Sequence, residues 1–269
     1  MEAKSDFLAK ESELLFDEIE RYNSNSDLPL AAKSLLDFQR RRNVDTTKEL
    51  HLPTPLLGFR GQKVSVLVMS ICGEFRKEGV RKLPKNAEEM MDYFRYSEIQ
   101  GYTTENNSTF DYVRNFKQMN YFRKIDWILN KIWGSEDYEL GNLSVYADII
   151  PWPTPTRWKG FQEKNSEEFP YFREYGAKRV RRILEDLDPE VIISLGMQAS
   201  EFLGDWDVKI NNNNIVSMSF TNHRIPMVSL YKPVADNEVI GYSQLKTGLF
   251  DWQNKFLAHL DKIQEYLGL

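Results

Sequence analysis

The sequence predicts a three-layer α/β/α sandwich whose central sheet is mostly parallel and has four to five strands, preceded by an N-terminal helical extension. The first supporting observation is the run at residues 63–70, which is β-branched and almost continuously apolar. Such a run is typical of a strand that is buried on both faces of a parallel sheet. The second observation is that further strand-like runs alternate with helical patterns, which is the order that builds a layered α/β domain.

Four more short runs predict strands, at residues 144–150, 189–196, 215–220 and 225–231. A long, aromatic-rich helical region at 86–133 separates the first two strands, and helices at 177–187 and 197–203 flank the third. The last helix places apolar side chains at steps of three and four residues from Leu245 to Leu267. This spacing indicates an amphipathic helix.

The N-terminal part of the chain predicts two amphipathic helices. Residues 6–22 place their apolar side chains on one helical stripe, and Pro29 favours the start of a second helix at 30–42. We therefore divide the chain into a helical N-terminal extension at 1–45 and an α/β domain at 46–269.

The composition is that of a folded, soluble protein, with 41% hydrophobic and 28% charged residues. The single cysteine, Cys72, excludes an intramolecular disulfide and any cluster or zinc site built from several thiolates. No apolar run reaches the ~20 residues of a membrane span, and the charged N-terminus lacks the apolar core of a secretion signal. We expect a cytoplasmic monomer with no metal, no other cofactor and no membrane partner.

The charge distribution leaves a nucleic-acid partner open. The chain has 35 basic and 40 acidic residues and a net charge of −5, which speaks against non-specific coating of nucleic acid. Basic residues are nevertheless grouped at 40–42, 76–85 and 178–182. Each group is either a solvated helix face or a local surface for phosphates, and a local surface is enough to dock an enzyme on DNA.

The residues that directly follow the strands are the candidate site residues, because parallel α/β sheets bind ligands beyond the carboxyl ends of their strands. After the first strand, Gly73 would let the backbone turn close to a ligand, and Glu74 would point toward it. Asp148 ends the second strand inside an apolar run, where an unpaired carboxylate is costly to bury. Glu74 could instead be a solvated turn residue, and Asp148 could pair with an arginine such as Arg157.

The third and last strands end in two further candidate turns. Gly196 leads into a helix N-terminus, whose backbone N–H groups suit a phosphate. This turn has neither the lysine of a Walker loop nor the further glycines of a dinucleotide fingerprint. The last strand ends at Tyr231 and Lys232, and Pro233 bends the chain there. Lys232 is either presented toward a ligand or is a plain surface lysine.

These strand ends, taken in order, resemble the uracil-DNA glycosylase superfamily over roughly residues 55–267. The core of that family is a four-stranded parallel sheet between helices, with one motif after the first strand and another, usually His-Pro-Ser, after the last. Residues 69–74, MSICGE, are similar to the first motif, and residues 148–152, DIIPW, to the segment with the base-reading Asn. Residues 188–196 are similar to the third strand of the family, and Lys232-Pro233-Val234 takes the place of the last motif.

The resemblance implies a DNA glycosylase that flips a base out of the duplex and removes it. The water-activating acid of the family aligns with Ile71, Cys72 or Glu74, of which only Glu74 can do this chemistry. Lys232 replaces the family His and can donate to the departing base anion. Asp148 replaces the base-reading Asn, and an ionised Asp only accepts hydrogen bonds, which suits the N4 amino group of cytosine better than uracil.

The resemblance also implies the remaining parts of the site. Gly73 approaches the base, and Phe75 or Trp152 stacks on it. Three further residues are expected to contact DNA: Arg76, Gly196 and Tyr231. An enzyme that removed ordinary cytosine would damage its own genome. The expected substrate is therefore a modified cytosine, such as a hydroxymethylated or glucosylated one in phage DNA, which suggests a role in antiviral defence.

Two alternative functions fit the same pattern to different degrees. A non-catalytic module for DNA or nucleotides on the same fold would account for the absence of the usual acid after the first strand. An unrelated α/β hydrolase or nucleotide-binding enzyme is disfavoured, because neither a Gly-x-Ser-x-Gly turn nor a phosphate loop is present.

Overall fold

The computed structural model describes residues 6–42, 56, 58–59, 62–71, 85–91, 121–152, 163, 166–196, 199, 216–220, 224–230 and 260–269. The helices are α1 (Asp6–Asn23), α2 (Leu30–Arg42), α3 (Tyr121–Trp133) and α4 (Phe169–Leu187). The strands are β1 (Val66–Ser70), β2 (Ser144–Asp148), β3 (Val191–Leu195), β4 (Val216–Phe220) and β5 (Pro226–Leu230). Residues 260–267 are also helical, at the end of the predicted C-terminal helix. Among the helices in this part of the chain, none is long and apolar enough to cross a membrane.

The five strands form one sheet in the order β2-β1-β3-β5-β4. β2, β1, β3 and β5 run parallel, and β4 pairs antiparallel with β5 at the edge. The antiparallel pair follows from the short connection between β4 and β5, since parallel neighbours need a crossover of a dozen or more residues. The prediction of a mostly parallel sheet with four to five strands is confirmed.

Each face of the sheet is buried under helices, which gives three layers. Alternate strand residues, such as Met69, Val145 and Ile192, belong to a core cluster with α1, α2 and α4. Their neighbours along the strands, such as Val68 and Tyr146, belong to a second cluster with α3 and the C-terminal helical residues. This separation follows from the period of two in a strand, which sends successive side chains to opposite faces.

The two N-terminal helices pack into the first of these clusters. The apolar stripe of α1 is buried there, with Phe7, Leu15 and Ile19 each at most 3% exposed. From α2, Leu35 and Leu36 join the same cluster. Both predicted helices are therefore present, and they help to cover the face of the sheet that α4 also covers.

Candidate functional site at the carboxyl ends of the strands

The parallel register brings the predicted strand-end residues to one edge of the sheet. Ser70 of β1 lies opposite Asp148 of β2, and Leu195 of β3 lies opposite Leu230 of β5. The backbone pairing continues past the strands, because the N–H of Ile149 donates to the carbonyl of Ser70 at 2.8 Å. We call this edge, where β1, β2, β3 and β5 end, the carboxyl edge. It is the edge at which α/β sheets bind their ligands.

Asp148 is fully buried at the carboxyl edge, and its carboxylate is held in place. The hydroxyl of Tyr146, two residues earlier on the same face of β2, donates to Oδ1 of Asp148 at 2.7 Å. A buried carboxylate needs such donors, because burial without hydrogen bonds is costly. Ser70, the register partner of Asp148 on β1, is partly exposed. The residues that follow the two strands, Ile71, Ile149 and Ile150, are buried as well.

The backbone of Asp148 is held by Arg179, a residue of α4 that is only 1% exposed. Its Nη1 donates to the carbonyl oxygen of Asp148 at 2.6 Å, and its Nε lies 2.6 Å from Oε1 of Glu11. Glu11 belongs to α1 and is 2% exposed, so this is a buried ion pair. Arg182 approaches the other oxygen of Glu11 at 3.6 Å. One arginine thus connects α1, α4 and the end of β2.

Trp152 lies beneath α1 and contributes to the same connection. It is fully buried, and its indole N–H donates to Oε2 of Glu18 at 2.7 Å. The hydroxyl of Tyr175 donates to both oxygens of Glu18 at 2.9 Å. Trp152 therefore presents no exposed ring to a flipped base in this arrangement. Like Asp148, which is also fully buried, it would reach a base only after neighbouring groups move, and Phe75 lies outside the described residues.

The surroundings of the Glu18 carboxylate change its titration, although the residue as a whole is only partly buried. Desolvation raises the pKa of Glu18 from its ordinary value to about 7, against the two hydrogen bonds from Trp152 and Tyr175, which lower it. Burial also raises the pKa of the Tyr175 hydroxyl well above its usual value, with the adjacent Glu18 adding to the effect. The Tyr175 hydroxyl therefore stays protonated and remains a donor to Glu18.

Gly196 directly follows β3, and its N–H is already used within the sheet. Its φ of +89° lies in the left-handed region that favours glycine. The N–H donates to the carbonyl of Leu230 at 2.7 Å, which extends the pairing of β3 with β5. The expected phosphate contact cannot come from this N–H, because the ladder between two strands occupies it.

The other predicted site residues lie outside the described residues, namely Gly73, Glu74, Phe75, Arg76, Tyr231 and Lys232. The structure therefore places three of the nine, Asp148, Trp152 and Gly196. Asp148 ends β2 and Gly196 directly follows β3, both at the carboxyl edge, whereas Trp152 lies under α1. Arg157, the alternative partner considered for Asp148, is also outside the described residues.

The basic run at 178–182 on α4 differs from the expected phosphate surface. Arg179 is buried, and Lys178 pairs with Glu174 one helical turn away at 2.6 Å. Arg182 is partly engaged by Glu11. Two carboxylates, Glu174 and Glu11, thus offset part of the positive charge of this run. The basic runs at 40–42 and 76–85 stay predictions: the structure describes only the backbone of the first and only Lys85 of the second.

Sequence reasoning missed the residues that hold the carboxyl edge, namely Glu11, Glu18, Tyr146, Tyr175 and Arg179. A signal for two of them was present in α1. Glu11 stands four residues after Phe7 and four before Leu15, so it interrupts the apolar stripe of the helix. Glu18, three residues after Leu15, does the same. An acid on a buried stripe indicates a buried partner.

Comparison with known proteins gives no evidence about the function of this chain. A scan against protein-family models and a search of the curated proteins find no match to this chain. Within the described ranges, no three His, Cys, Asp or Glu side chains are grouped in a way that could hold a metal ion. What the carboxyl edge does supply is a fixed carboxylate acceptor, which is the kind of group that reads an amino group on a base.

Proposed function

We propose that this chain is a DNA glycosylase that flips a modified, cytosine-type base out of DNA and excises it, leaving an abasic site. The observation that carries the proposal is the parallel register that puts Asp148 and the other strand ends at one edge of the sheet. Four parallel strands between helices are also the core that the sequence resemblance implies. The role of this chain in the cell would be cytoplasmic defence against phage with hypermodified DNA.

The proposed reaction breaks the bond between the base and C1′ of the sugar. Glu74 would orient a water molecule and take up its proton as the water oxygen bonds to C1′, while the electron pair of the breaking bond leaves with the base. Lys232 would stabilise the negative charge that develops on the base, as a preorganised donor does at an oxyanion. The base must leave the stack first, because the glycosidic bond is out of reach inside the duplex.

Asp148 would select the base. Its ionised carboxylate accepts but does not donate, so it pairs with the N4 amino group of a cytosine and not with the carbonyl of uracil. Gly73 would let the backbone approach the base, and Phe75 would stack on its face. Arg76 and Tyr231 would contact the DNA backbone, whereas Trp152 and Gly196 support the fold at this edge.

The test is direct detection of a released base. The purified protein is incubated with duplexes that contain cytosine, hydroxymethylcytosine, glucosylated hydroxymethylcytosine or uracil. Free bases are then identified by mass spectrometry, and abasic sites by strand breakage in alkali. We expect release from a modified-cytosine duplex, with Lys232→Ala slower by ~10²–10³-fold. No free base from any of these duplexes would contradict the proposal.

A second candidate is a non-catalytic module that binds modified DNA on the same fold. The observation that favours it is the absence of the usual acid after the first strand, where Ile71 and Cys72 occupy two of the three aligned positions. The same duplexes separate the two functions. A module would retain modified DNA in a binding assay and release no base from it.

A further inference from the structure

Two donors converge on Asp148 from different parts of the molecule. The Tyr146 hydroxyl holds the carboxylate at 2.7 Å, and Arg179 holds the backbone carbonyl at 2.6 Å. Tyr146 is 4% exposed and packs in the core cluster formed with α3, so its ring has little freedom. The side chain and the backbone of one strand-end residue are therefore fixed independently.

We propose that Tyr146 is a positioning residue for base recognition, which acts by fixing the carboxylate of Asp148 in the orientation that reads the base. This inference rests on the proposed function, and it adds a specificity-determining group that would not itself touch the base. A carboxylate that rotates freely offers an amino group no preferred direction. One that is pinned through Oδ1 presents the base with a single acceptor geometry.

The spacing on β2 explains how the pair forms. Residues two apart on a strand point to the same face, so Tyr146 and Asp148 lie side by side. Tyr146 is inside the strand and Asp148 is its last residue, so the rigid part of β2 orients the residue at the carboxyl edge. A site built on a strand in this way is more accurately placed than one built on a loop.

The test is a hydroxyl deletion with a matched control. Tyr146→Phe removes the hydroxyl that donates to Asp148 and keeps the ring, and Tyr175→Phe removes a hydroxyl that donates to a different carboxylate, Glu18. Because a hydrogen bond to a charged group is among the stronger ones, we expect Tyr146→Phe to lower kcat/KM on the modified-cytosine duplex about 10-fold or more. It should also lower the ratio of that rate to the rate on uracil. Tyr175→Phe should leave the ratio unchanged.

A double-mutant cycle distinguishes positioning from a general loss of structure. The second comparison is made in the Asp148→Ala variant, whose residual base release is measured in long single-turnover incubations. Adding Tyr146→Phe to this variant should not lower the rate of base release any further. Tyr146→Phe alone leaves the buried carboxylate of Asp148 without its donor, and this variant could fail to fold. The double variant has no such carboxylate, so the comparison can still be made. Further loss of base release in that background would overturn the positioning role.

Different results would overturn the positioning role of Tyr146 and the proposed glycosylase activity. If the wild type releases base and Tyr146→Phe keeps the wild-type rate and ratio, the positioning role is wrong and the glycosylase stands. If the wild type releases no base from any duplex, both are wrong. If Tyr175→Phe changes the ratio as much as Tyr146→Phe does, the effect is a general one and the positioning role is overturned.

Discussion

At Glu18, desolvation outweighs two hydrogen bonds. Burial favours the protonated form, whereas the donors from Trp152 and Tyr175 favour the ionised form, and the net result is a pKa of about 7. In the unfolded chain the group has an ordinary pKa near 4.5. Between these two values the folded protein holds a proton that the unfolded chain has lost. Folding stability must therefore fall as the pH rises from about 4.5 to about 7.

We predict that Glu18→Gln removes this pH dependence. Gln is neutral at every pH, so the variant should gain stability relative to wild type above pH 7, by a few kcal/mol at most, since one pKa unit corresponds to about 1.4 kcal/mol. Urea unfolding of both proteins at pH 5 and pH 8 measures the effect. Glu20→Gln, on an exposed position of the same helix, is the control. An equal gain at both pH values would show that Glu18 is ionised throughout.

At the scale of elements, the ion pair between Glu11 and Arg179 joins α1 to α4 and to β2. A buried pair is expensive to break, because the remaining partner keeps its charge in a poorly solvated place. We predict that Arg179→Leu lowers the free energy of unfolding by about 3–5 kcal/mol. Lys178→Ala, which breaks an exposed pair with Glu174 on the same helix, should cost less than about 1 kcal/mol.

Urea unfolding at one fixed pH measures both variants. Replacing Glu11 and Arg179 together by apolar residues should restore part of the stability, because no charge is then left unpaired. Equal losses for Arg179→Leu and Lys178→Ala would mean that the buried pair contributes no more than a surface pair does.

The strands were predictable because their pattern is local. The run at 63–70 and the run at 144–150 both contain the observed strands, β1 and β2, and exceed them by only a few residues. The start of α4 was not predictable in the same way. Helix propensity and an apolar stripe indicated only 177–187, whereas the helix begins at Phe169, with Pro170 in its first turn, where proline is tolerated.

The sequence predicts which residues of the site lie at the ends of parallel strands, but not which side chains contact them. Asp148 could be assigned to the carboxyl edge because it ends a parallel strand. Its partners could not, because Arg179 and Glu11 lie far from it in the chain and meet it only through the packing of α1 and α4. Trp152 lies after β2, which is where a base-stacking residue was expected. Its indole N–H, however, donates to Glu18, a residue 134 positions earlier in the chain. Local patterns do not contain contacts of this kind.

At the scale of the whole molecule, the N-terminal helices are part of the core. Five side chains of α1 are buried in it: Phe7, Leu8, Leu15, Ile19 and Tyr22. Each contributes about 1.5–3 kcal/mol, and the sum is comparable with the ~5–15 kcal/mol that stabilises an ordinary domain. We predict that a truncated chain of residues 46–269 does not unfold cooperatively and binds a hydrophobic dye. Calorimetry showing a sharp transition near the wild-type Tm would contradict this prediction.

Binding to DNA should also depend on salt, because cationic side chains that contact phosphates release counterions. Since part of the charge on the basic run of α4 is offset internally, we expect fewer phosphate contacts, and a shallower slope, than its four basic side chains alone would give. Two contacts would weaken binding roughly 10-fold between about 50 and 200 mM salt. Fluorescence anisotropy with a labelled duplex measures this slope. An affinity that does not change over this range would count against a DNA partner.

The measurement that tests the account most directly is base release by Asp148→Asn beside the wild type, on modified-cytosine and uracil duplexes. Losing the charged acceptor should cost ~1.5–3 kcal/mol on the cytosine-type base, about one to two orders of magnitude in rate. The same variant should gain activity on uracil, because an amide can both accept and donate as that base requires. If the variant keeps full activity on the cytosine-type substrate and gains none on uracil, Asp148 does not read the base.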